Sequence, residues 1–344
     1  MSNQSLLEIV KTLSLCFGPS GREKAVRDTI ISYIEGYASY RIDPLGNLIV
    51  EKKGRRTSTK RIMIDAHMDE VGMIVTNVRP DGLLTFATVG GILPEALIGK
   101  TVTFEKCNGV IGCLPIHCLS GEQKTRYPSE NELFIDIGAA NQEEALSLVS
   151  PGDVCTFQSE FVSFGEGFVK GRALDDRVGC AILIDYICND QEFDTICTFT
   201  VQEEVGLVGA KTATFSVQPD VALVLEATTA ADIAGVDQTQ QVCKLGQGVT
   251  LSFMDRATVY DGELYQTAMN LCKQLEIPCQ SKNAVAGGNN AGTIHSSIGG
   301  VRTLALSVPC RYLHSASCVI NWQDVVSTAR LLPVLVEKIA MDMQ

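Results

Sequence analysis

Histidine is scarce in this 344-residue chain, with four residues beside a single tryptophan and 6% aromatics. No apolar run approaches the roughly 20 residues that span a bilayer as a helix, so a membrane protein is not expected. The opening Met1-Ser-Asn-Gln-Ser-Leu-Leu-Glu8 lacks a basic segment and carries an early acid, unlike a secretory signal. A cytoplasmic location is the expectation. Lys and Arg total 28 against 40 Asp and Glu, a net charge of −12, and the largest basic cluster is Lys52-Lys-Gly-Arg-Arg56. Nucleic acid needs concentrated positive charge and is disfavoured as a partner; Lys52 to Arg56 reads as a solvated hairpin tip. The thirteen cysteines include no C-x-x-C pair, and Cys180, Cys188, Cys197 and Cys310 lie in apolar runs. They read as buried thiols in a reducing compartment rather than a disulfide framework or a zinc ribbon. A G-x-S-x-G elbow and a G-x-G-x-x-G fingerprint are both missing, which disfavours a serine hydrolase and a dinucleotide site.

What is present is an α/β pattern with an interruption. Helical periodicity covers 5–16 and 22–35, split by Gly18-Pro-Ser-Gly21. Two short strands flank Leu45-Gly-Asn47, and a buried strand covers 61–67. From 70 to 164, strand-like runs at 72–78, 83–86, 101–104, 110–114 and 133–137 alternate with glycine turns, and 141–149 is the one helix. That segment reads as a small all-β domain inserted into a larger one. A helix at 176–188, strands at 195–202 and 221–226, a helix at 262–275, a strand at 301–308 and a helix at 322–341 follow. The expected organisation is a catalytic domain built from two segments, 1–69 and 165–344, with a β insert at 70–164 between them. The catalytic fold is a mostly parallel sheet with helices on both faces.

The chemistry-bearing residues lie where such a sheet binds ligands, outside the carboxyl ends of its strands. His67 ends one strand, Glu203 and Glu204 follow another, Glu226 ends Val221-Ala-Leu-Val-Leu-Glu226, and His314 lies past the last. Asp175 and Asp176 precede a helix. Two imidazoles and three carboxylates exceed what one tetrahedral zinc with an open position needs. They suit two metals sharing a bridging carboxylate, about 3.5–4 Å apart. Bland readings compete: His67 alone is a buried, hydrogen-bonded histidine, Asp175-Asp176 a helix cap and first-turn acid, and Glu226 and His314 are uninformative singly. Adjacent Glu203 and Glu204 repel unless a cation or shared proton relieves them. One can bind metal while the other serves as general base. Asp69, two residues beyond His67 in extended chain, points the same way and can orient that imidazole. His117 reads as structural, and His295 as a cleft-wall residue after the glycine-rich loop 287–292.

Four ordered segments then resemble one family: Asp65-Ala-His-Met-Asp-Glu-Val-Gly72, Gly171-Arg-Ala-Leu-Asp-Asp-Arg-Val-Gly179, Gln202-Glu-Glu-Val-Gly-Leu-Val-Gly-Ala210 and His314-Ser-Ala-Ser317. They are similar to the motifs of the dinuclear-metal TET-type aminopeptidases, the glutamyl, lysyl and deblocking enzymes, some of which carry an endoglucanase label. Gly90-Gly-Ile-Leu-Pro94 and Leu133-Phe-Ile-Asp-Ile-Gly-Ala139 in the insert fit as well. The resemblance implies a zinc-peptidase domain with a PDZ-like or barrel insert, assembled as a homo-oligomer, usually a tetrahedral dodecamer. It implies two divalent ions, zinc with cobalt or manganese as alternatives, and short peptides with a free N-terminus as substrates. By position, His67 and Glu226 bind one metal, Asp175 bridges, and Glu204 and His314 complete the other shell. Glu203 is then the general base, Asp69 holds His67, and activated water attacks the first peptide bond.

Two positions depart from the family pattern. Glu226-Ala-Thr228 stands where Asp followed by Val-Thr is usual, which bears on metal spacing. Asn289-Asn290 replaces Thr-Asp in the Gly-Gly-Thr-Asp-Ala loop, expected to remove a carboxylate from the substrate side. Two other readings stay open: a glycoside hydrolase, which uses two carboxylates without metal, and a catalytically altered relative kept for metal binding or assembly.

Overall fold

The runs Ile62-Met-Ile64 and Val221-Ala-Leu-Val-Leu225 are apolar at every position rather than alternating, as in strands covered on both faces. In the computed structural model, which describes residues 3–342, both are wholly buried in an eleven-stranded sheet. Met1, Ser2, Met343 and Gln344, the extreme ends of the two expected catalytic segments, lie outside the described residues. Helices α1 (Asn3–Leu15) and α2 (Lys24–Ile34) lead into β1 (Ser39–Ile42), β2 (Leu48–Lys52) and β3 (Ile62–His67). The insert contributes β4 (Gly72–Val78), β5 (Leu84–Val89), β6 (Thr101–Thr103), β7 (Asn108–Cys113), β8 (Leu133–Asp136), α3 (Gln142–Leu148) and β9 (Val154–Phe157). The chain returns through β10 (Val162–Phe164), β11 (Phe168–Gly171), α4 (Leu174–Cys188), β12 (Thr195–Thr200), α5 (Val208–Val217) and β13 (Val221–Thr229). It ends with β14 (Val249–Leu251), α6 (Gly262–Gln274), β15 (Cys279–Ser281), α7 (Ala291–Ile294), β16 (Arg302–Arg311), β17 (Cys318–Asn321) and α8 (Trp322–Asp342).

The sheet order is β1-β2-β12-β3-β13-β16-β17-β11-β10, with β14 and β15 attached at β16. Its centre, β12-β3-β13-β16, is parallel, and antiparallel strands extend both edges. Between β3 and β12 the chain steps outward through α4, and between β12 and β13 it steps back through α5. Crossovers of one hand therefore place α4 and α5 on opposite faces. The α4 helix lies on β3, β13 and β16, carrying α1, α2 and α8, while α5 packs on β12 beside α7. Because the central strands are parallel, their carboxyl ends open at one edge, where loops from several strands converge.

The insert closes as a six-stranded antiparallel barrel, β4-β5-β8-β7-β6-β9, around Met73, Val75, Leu84, Val102, Ile111, Ile135 and Phe157. Closure leaves no unpaired edge. The insert is expected from sequence to run to 164, but β10 pairs with β11 in the large sheet, so the last barrel strand is β9. Lys52 is no hairpin tip either. It is buried in β2, and residues 53–61 carry the chain past β12 to β3. The strand at Glu226 continues to Thr229. The helix α5, with a glycine and four β-branched residues in its run, has weak local propensity and is held by packing.

Barrel and sheet meet at one buried carboxylate. Glu70 pairs with Arg172 and, at 3.3 Å, with Arg177, and accepts from the Gly18 N–H at 3.1 Å and the Thr156 hydroxyl at 2.8 Å. It thereby joins the loop after α1, the barrel strand β9 and the start of α4. Removing one member of such a network leaves buried charge uncompensated, at a cost of about 3–5 kcal/mol. Glu70→Ala is expected to lose about that much in urea unfolding, and a loss below about 1 kcal/mol would refute this role.

Candidate metal centre

His67, Asp175, Glu204, Glu226 and His314 come together at the carboxyl edge of the central strands. His67 Nε2 lies 3.2 Å from Asp175 Oδ1 and 3.5 Å from Glu226 Oε1. His314 Nε2 lies 3.5 Å from Asp175 Oδ2 and 3.3 Å from Glu204 Oε2. Two groups of donor atoms result, His67-Asp175-Glu226 and Asp175-Glu204-His314, each with its atoms within 4.8 Å of one another. Asp175 belongs to both, one oxygen to each.

Local backbone explains how these side chains reach one point. Asp175 and Asp176, joined by a cis peptide bond, have non-helical angles at the start of α4, and Ala173 before them has φ 51°. Asp176 Oδ1 accepts the Gly179 N–H at 3.0 Å, the pattern of a helix cap. The two readings of this dipeptide therefore divide: Asp176 caps the helix, and Asp175 faces the cluster. Gln202 at φ 56° turns the chain off β12, so that Glu203 and Glu204 both return to the edge. His314, between β16 and β17, has φ 56°. Left-handed backbone at three non-glycine residues, about 1–3 kcal/mol each, concentrates at this one place.

The imidazoles are oriented from behind. The Nδ1–H of His314 donates to the Gly91 carbonyl at 2.8 Å, leaving Nε2 for the cluster. Gly91 belongs to the barrel, in the Gly90-Gly91 turn after β5. Gly90 has φ +84°, and a Cβ there would stand 3.2 Å from that of Glu204, so the close approach requires glycine. Asp69 Oδ1 lies 3.4 Å from His67 Nδ1, long for a hydrogen bond. Its short contacts are the Ser20 hydroxyl at 2.6 Å and the backbone N–H groups of Glu203 at 2.9 Å and Glu204 at 3.1 Å. Asp69 thus aligns the glutamate pair at least as firmly as it does His67. Beneath His67, the Cys180 thiol donates to its carbonyl at 3.1 Å, and Cys180 is buried as expected.

The other two histidines lie elsewhere. His117 is exposed on the barrel, and His295 caps α7 with Nδ1 against the Ala291 carbonyl. Asn290 is not on a substrate face. It is buried, and its amide donates to Asp65 at 2.8 Å and to the Thr200 hydroxyl at 2.9 Å. Gly91, Ser20 and Glu70 carry no sequence signal beyond lying in or near quoted motifs, because their roles depend on contacts between segments distant in sequence.

The electrostatics are those of too much negative charge out of water. Burial and the charge of Asp175 raise Glu204 and Glu226 well above the ordinary carboxylate range. Burial pushes Glu203 up to about 7 against the attraction of His67. Burial alone would raise Asp175 too, but His314 and His67 hold it below its usual value. Burial opposes a charge on His314, yet Asp175 and Glu204 carry it up to about 10. Glu226 Oε2 is buried with no hydrogen-bond partner.

These shifts fix a pH dependence for chelator-treated protein. Carboxylates with raised values bind protons more tightly folded than unfolded, so stability falls as pH rises. For Glu203 the window runs from its unfolded 4.5 to about 7. For His314 the contribution is full below 6.5 and is lost through about 10. The signs agree, and Asp175 opposes them only below its ordinary 3.8. Melting temperature in chelator is expected to fall from about pH 5 to about pH 9, and divalent cation to flatten the slope. A flat profile in chelator would contradict this charge balance.

Comparison with known proteins agrees with the geometry. The profile of the M42 glutamyl aminopeptidase family matches residues 46–331. The lysyl aminopeptidase of Pyrococcus furiosus is 32% identical, over 96% of this chain and 97% of that protein. The Pyrococcus horikoshii TET1 peptidase, described as assembling into a tetrahedron or a large octahedral shell, superposes with TM-score 0.85 at 35% identity, over 96% of this chain and 98% of that one. A Thermotoga maritima protein described as an endoglucanase does so with TM-score 0.80 at 36% identity, over 96% and 97%. The chain belongs to the M42 glutamyl aminopeptidase family and is a metal-dependent aminopeptidase, a hydrolase.

Proposed function

We propose that the enzyme removes N-terminal residues from short peptides at a two-metal centre, His67, Asp175 and Glu226 holding one divalent ion and Asp175, Glu204 and His314 the other. The observation that carries this reading is the pair of donor groups sharing Asp175, with Glu203 beside them. Cations fit: the donors are imidazole and carboxylate, their shifted titration reflects unrelieved negative charge, and Glu226 Oε2 is buried without a partner. Mixed nitrogen and oxygen ligands favour zinc, with cobalt and manganese as substitutes. When bound, such ions supply Lewis-acid polarisation of a carbonyl and an acidified water.

The chain's own residues do the rest. Glu203, beside both donor groups, would take a proton from the attacking water and return it to the departing amine. Asp69 fixes the backbone that carries Glu203, and the Gly91 carbonyl fixes the ring of His314. The free α-amino group of the peptide is anchored beside this centre, which sets exopeptidase register. The protein works in the cytoplasm, in keeping with its free thiols. It assembles as a homo-oligomer, a tetrahedral dodecamer like the shells described for TET1, for which exposed Leu93, Ile116 and Tyr127 on the barrel offer apolar contact.

Glu203→Gln is expected to lower kcat on aminoacyl anilides by about 10²–10⁴-fold with metal content unchanged by mass spectrometry. Chelation is expected to abolish turnover and zinc, cobalt or manganese to restore it. Intact turnover in Glu203→Gln would refute the base assignment. Full metal occupancy with no hydrolysis across the panel would instead identify a relative kept for metal binding or assembly, and chelator-insensitive β-glucan cleavage a glycosidase.

A further inference from the structure

Two buried thiols bracket the loop that carries His314. Cys310 is the last residue but one of β16, and Cys318 is the first of β17, so residues 312–317 run between them. The register pairs Cys310 with Ile320, two residues past Cys318, which puts both side chains on one face of the hairpin. Both are buried in the core, both are free, and their thiols are in side-chain contact with each other. The mechanism uses neither.

Cys318 also borders the metal centre. With Asp175, Glu204 and His314 it lines a cavity of about 10 Å³, room for about one water-sized molecule. Its thiol donates to the carbonyls of Tyr312 at 3.5 Å and Ser315 at 3.7 Å, on either side of His314. Tyr312 and His314 have left-handed backbone, φ 58° and 56°, a shape that persists only where surrounding contacts hold it. The two cysteines differ in freedom. Cys310 is paired with Thr229 in the central sheet, whereas Cys318 follows directly on the loop.

We propose that Cys310 and Cys318 form a reversible disulfide that switches the enzyme off through His314. The oxidant is hydrogen peroxide, small enough for the cavity that Cys318 lines. The Cys318 sulfur attacks one peroxide oxygen, the O–O bond breaks, and a sulfenic acid and one water form. The Cys310 sulfur then attacks the Cys318 sulfur, the S–O bond breaks, and a second water leaves with the thiol proton. The two thiols lose two electrons and two protons, and the peroxide gains them. Closing the bond draws the sulfurs from contact at about 3.5–4 Å to about 2.05 Å. The central sheet holds Cys310, so the movement falls on Cys318 and the loop. Cys318 also loses the proton that it donates to Tyr312 and Ser315. Both changes move His314 relative to Asp175 and Glu204. In a reducing compartment a disulfide of this kind is transient and regulatory rather than structural. Its effect on activity rests on His314 as a metal ligand; the cross-link itself does not.

The test treats the zinc-loaded enzyme with hydrogen peroxide and follows three quantities: cross-linked peptides by mass spectrometry without reduction, zinc content, and turnover of an aminoacyl anilide. A Cys310–Cys318 cross-link is expected, with loss of zinc and turnover lowered about tenfold or more, both restored by a phosphine reductant and added zinc. Cys318→Ser keeps a hydroxyl for the Tyr312 and Ser315 carbonyls, so it is expected to retain its turnover in reductant and to resist peroxide. Cys310→Ala serves if that variant does not fold. Cys279→Ser breaks a second touching pair, Cys272 and Cys279 on α6 and β15, and is expected to respond like wild type. Absence of the Cys310–Cys318 cross-link would overturn the proposal whatever happens to turnover, as would sulfinic acid at Cys318 in its place. A complete cross-link with unchanged zinc and turnover would overturn the switch. Turnover indifferent to chelator before oxidation would overturn it through the metal reading rather than through the thiol pair.

Discussion

Three carboxylates, Asp175, Glu204 and Glu226, converge on two imidazoles at an edge of the sheet from which water is largely excluded. Left to themselves, such groups would separate or take up protons, and the raised titration of Glu204, Glu226 and His314 shows the second tendency. Asp175 is the hinge of this arrangement. Its two oxygens face different histidines, so any shift of the α4 start disturbs both donor groups together. The left-handed residues Ala173, Gln202 and His314 make sense in that light. Each brings one limb of the cluster inward against local preference, and the surrounding fold must over-determine them for the strain to persist.

That over-determination comes from both domains. The parallel strands align β3, β12, β13 and β16 so that four loops share one edge. The barrel then supplies the Gly91 carbonyl behind His314 and a glycine turn against Glu204. Glu70, one residue past Asp69, ties barrel, N-terminal loop and α4 through two arginines. Asp69 and Glu70 are neighbours in sequence with opposite tasks: one steadies the glutamate pair, the other the docking of the barrel. The insert thus helps to hold the centre, since without it His314 would lose the contact that orients its ring.

Much of this was legible because its signals are local. An all-apolar run ending in His67, a Glu-Glu pair after another, and helical periodicity at 176–188 each depend on a few consecutive residues. Roles that depend on close approach in three dimensions were not legible. Nothing in Gly90-Gly91 distinguishes a turn from a contact with His314. The dipeptide Asp175-Asp176 could not be divided between cap and cluster until its non-helical angles were known. Barrel closure was hidden because β9, four residues buried at every position, shows no alternation. The extent of β13 was hidden because Glu226, a polar residue in a central strand, looks like an end; it is tolerated because its carboxylate faces His67 rather than the core.

The two departures from the family pattern differ in consequence. Asn290 lies below the centre, not in a substrate cleft, and its amide donates to Asp65 and to the hydroxyl of Thr200. Asp65 also accepts from Thr198 at 2.5 Å, and burial pushes its carboxyl up to about 6. An aspartate at 290 would face that carboxyl directly, and two buried acids in contact must share a proton. An amide removes the requirement, so asparagine here concerns the support beneath His67 and leaves the substrate side unchanged. Glu226 is the departure that touches the centre itself. Its extra methylene lets Oε1 accept the Ala227 N–H at 3.2 Å while lying 3.5 Å from His67 Nε2, and Oε2 stays without a partner. Glu226 therefore keeps one carboxylate oxygen at His67 and the other without a partner, despite its extra methylene.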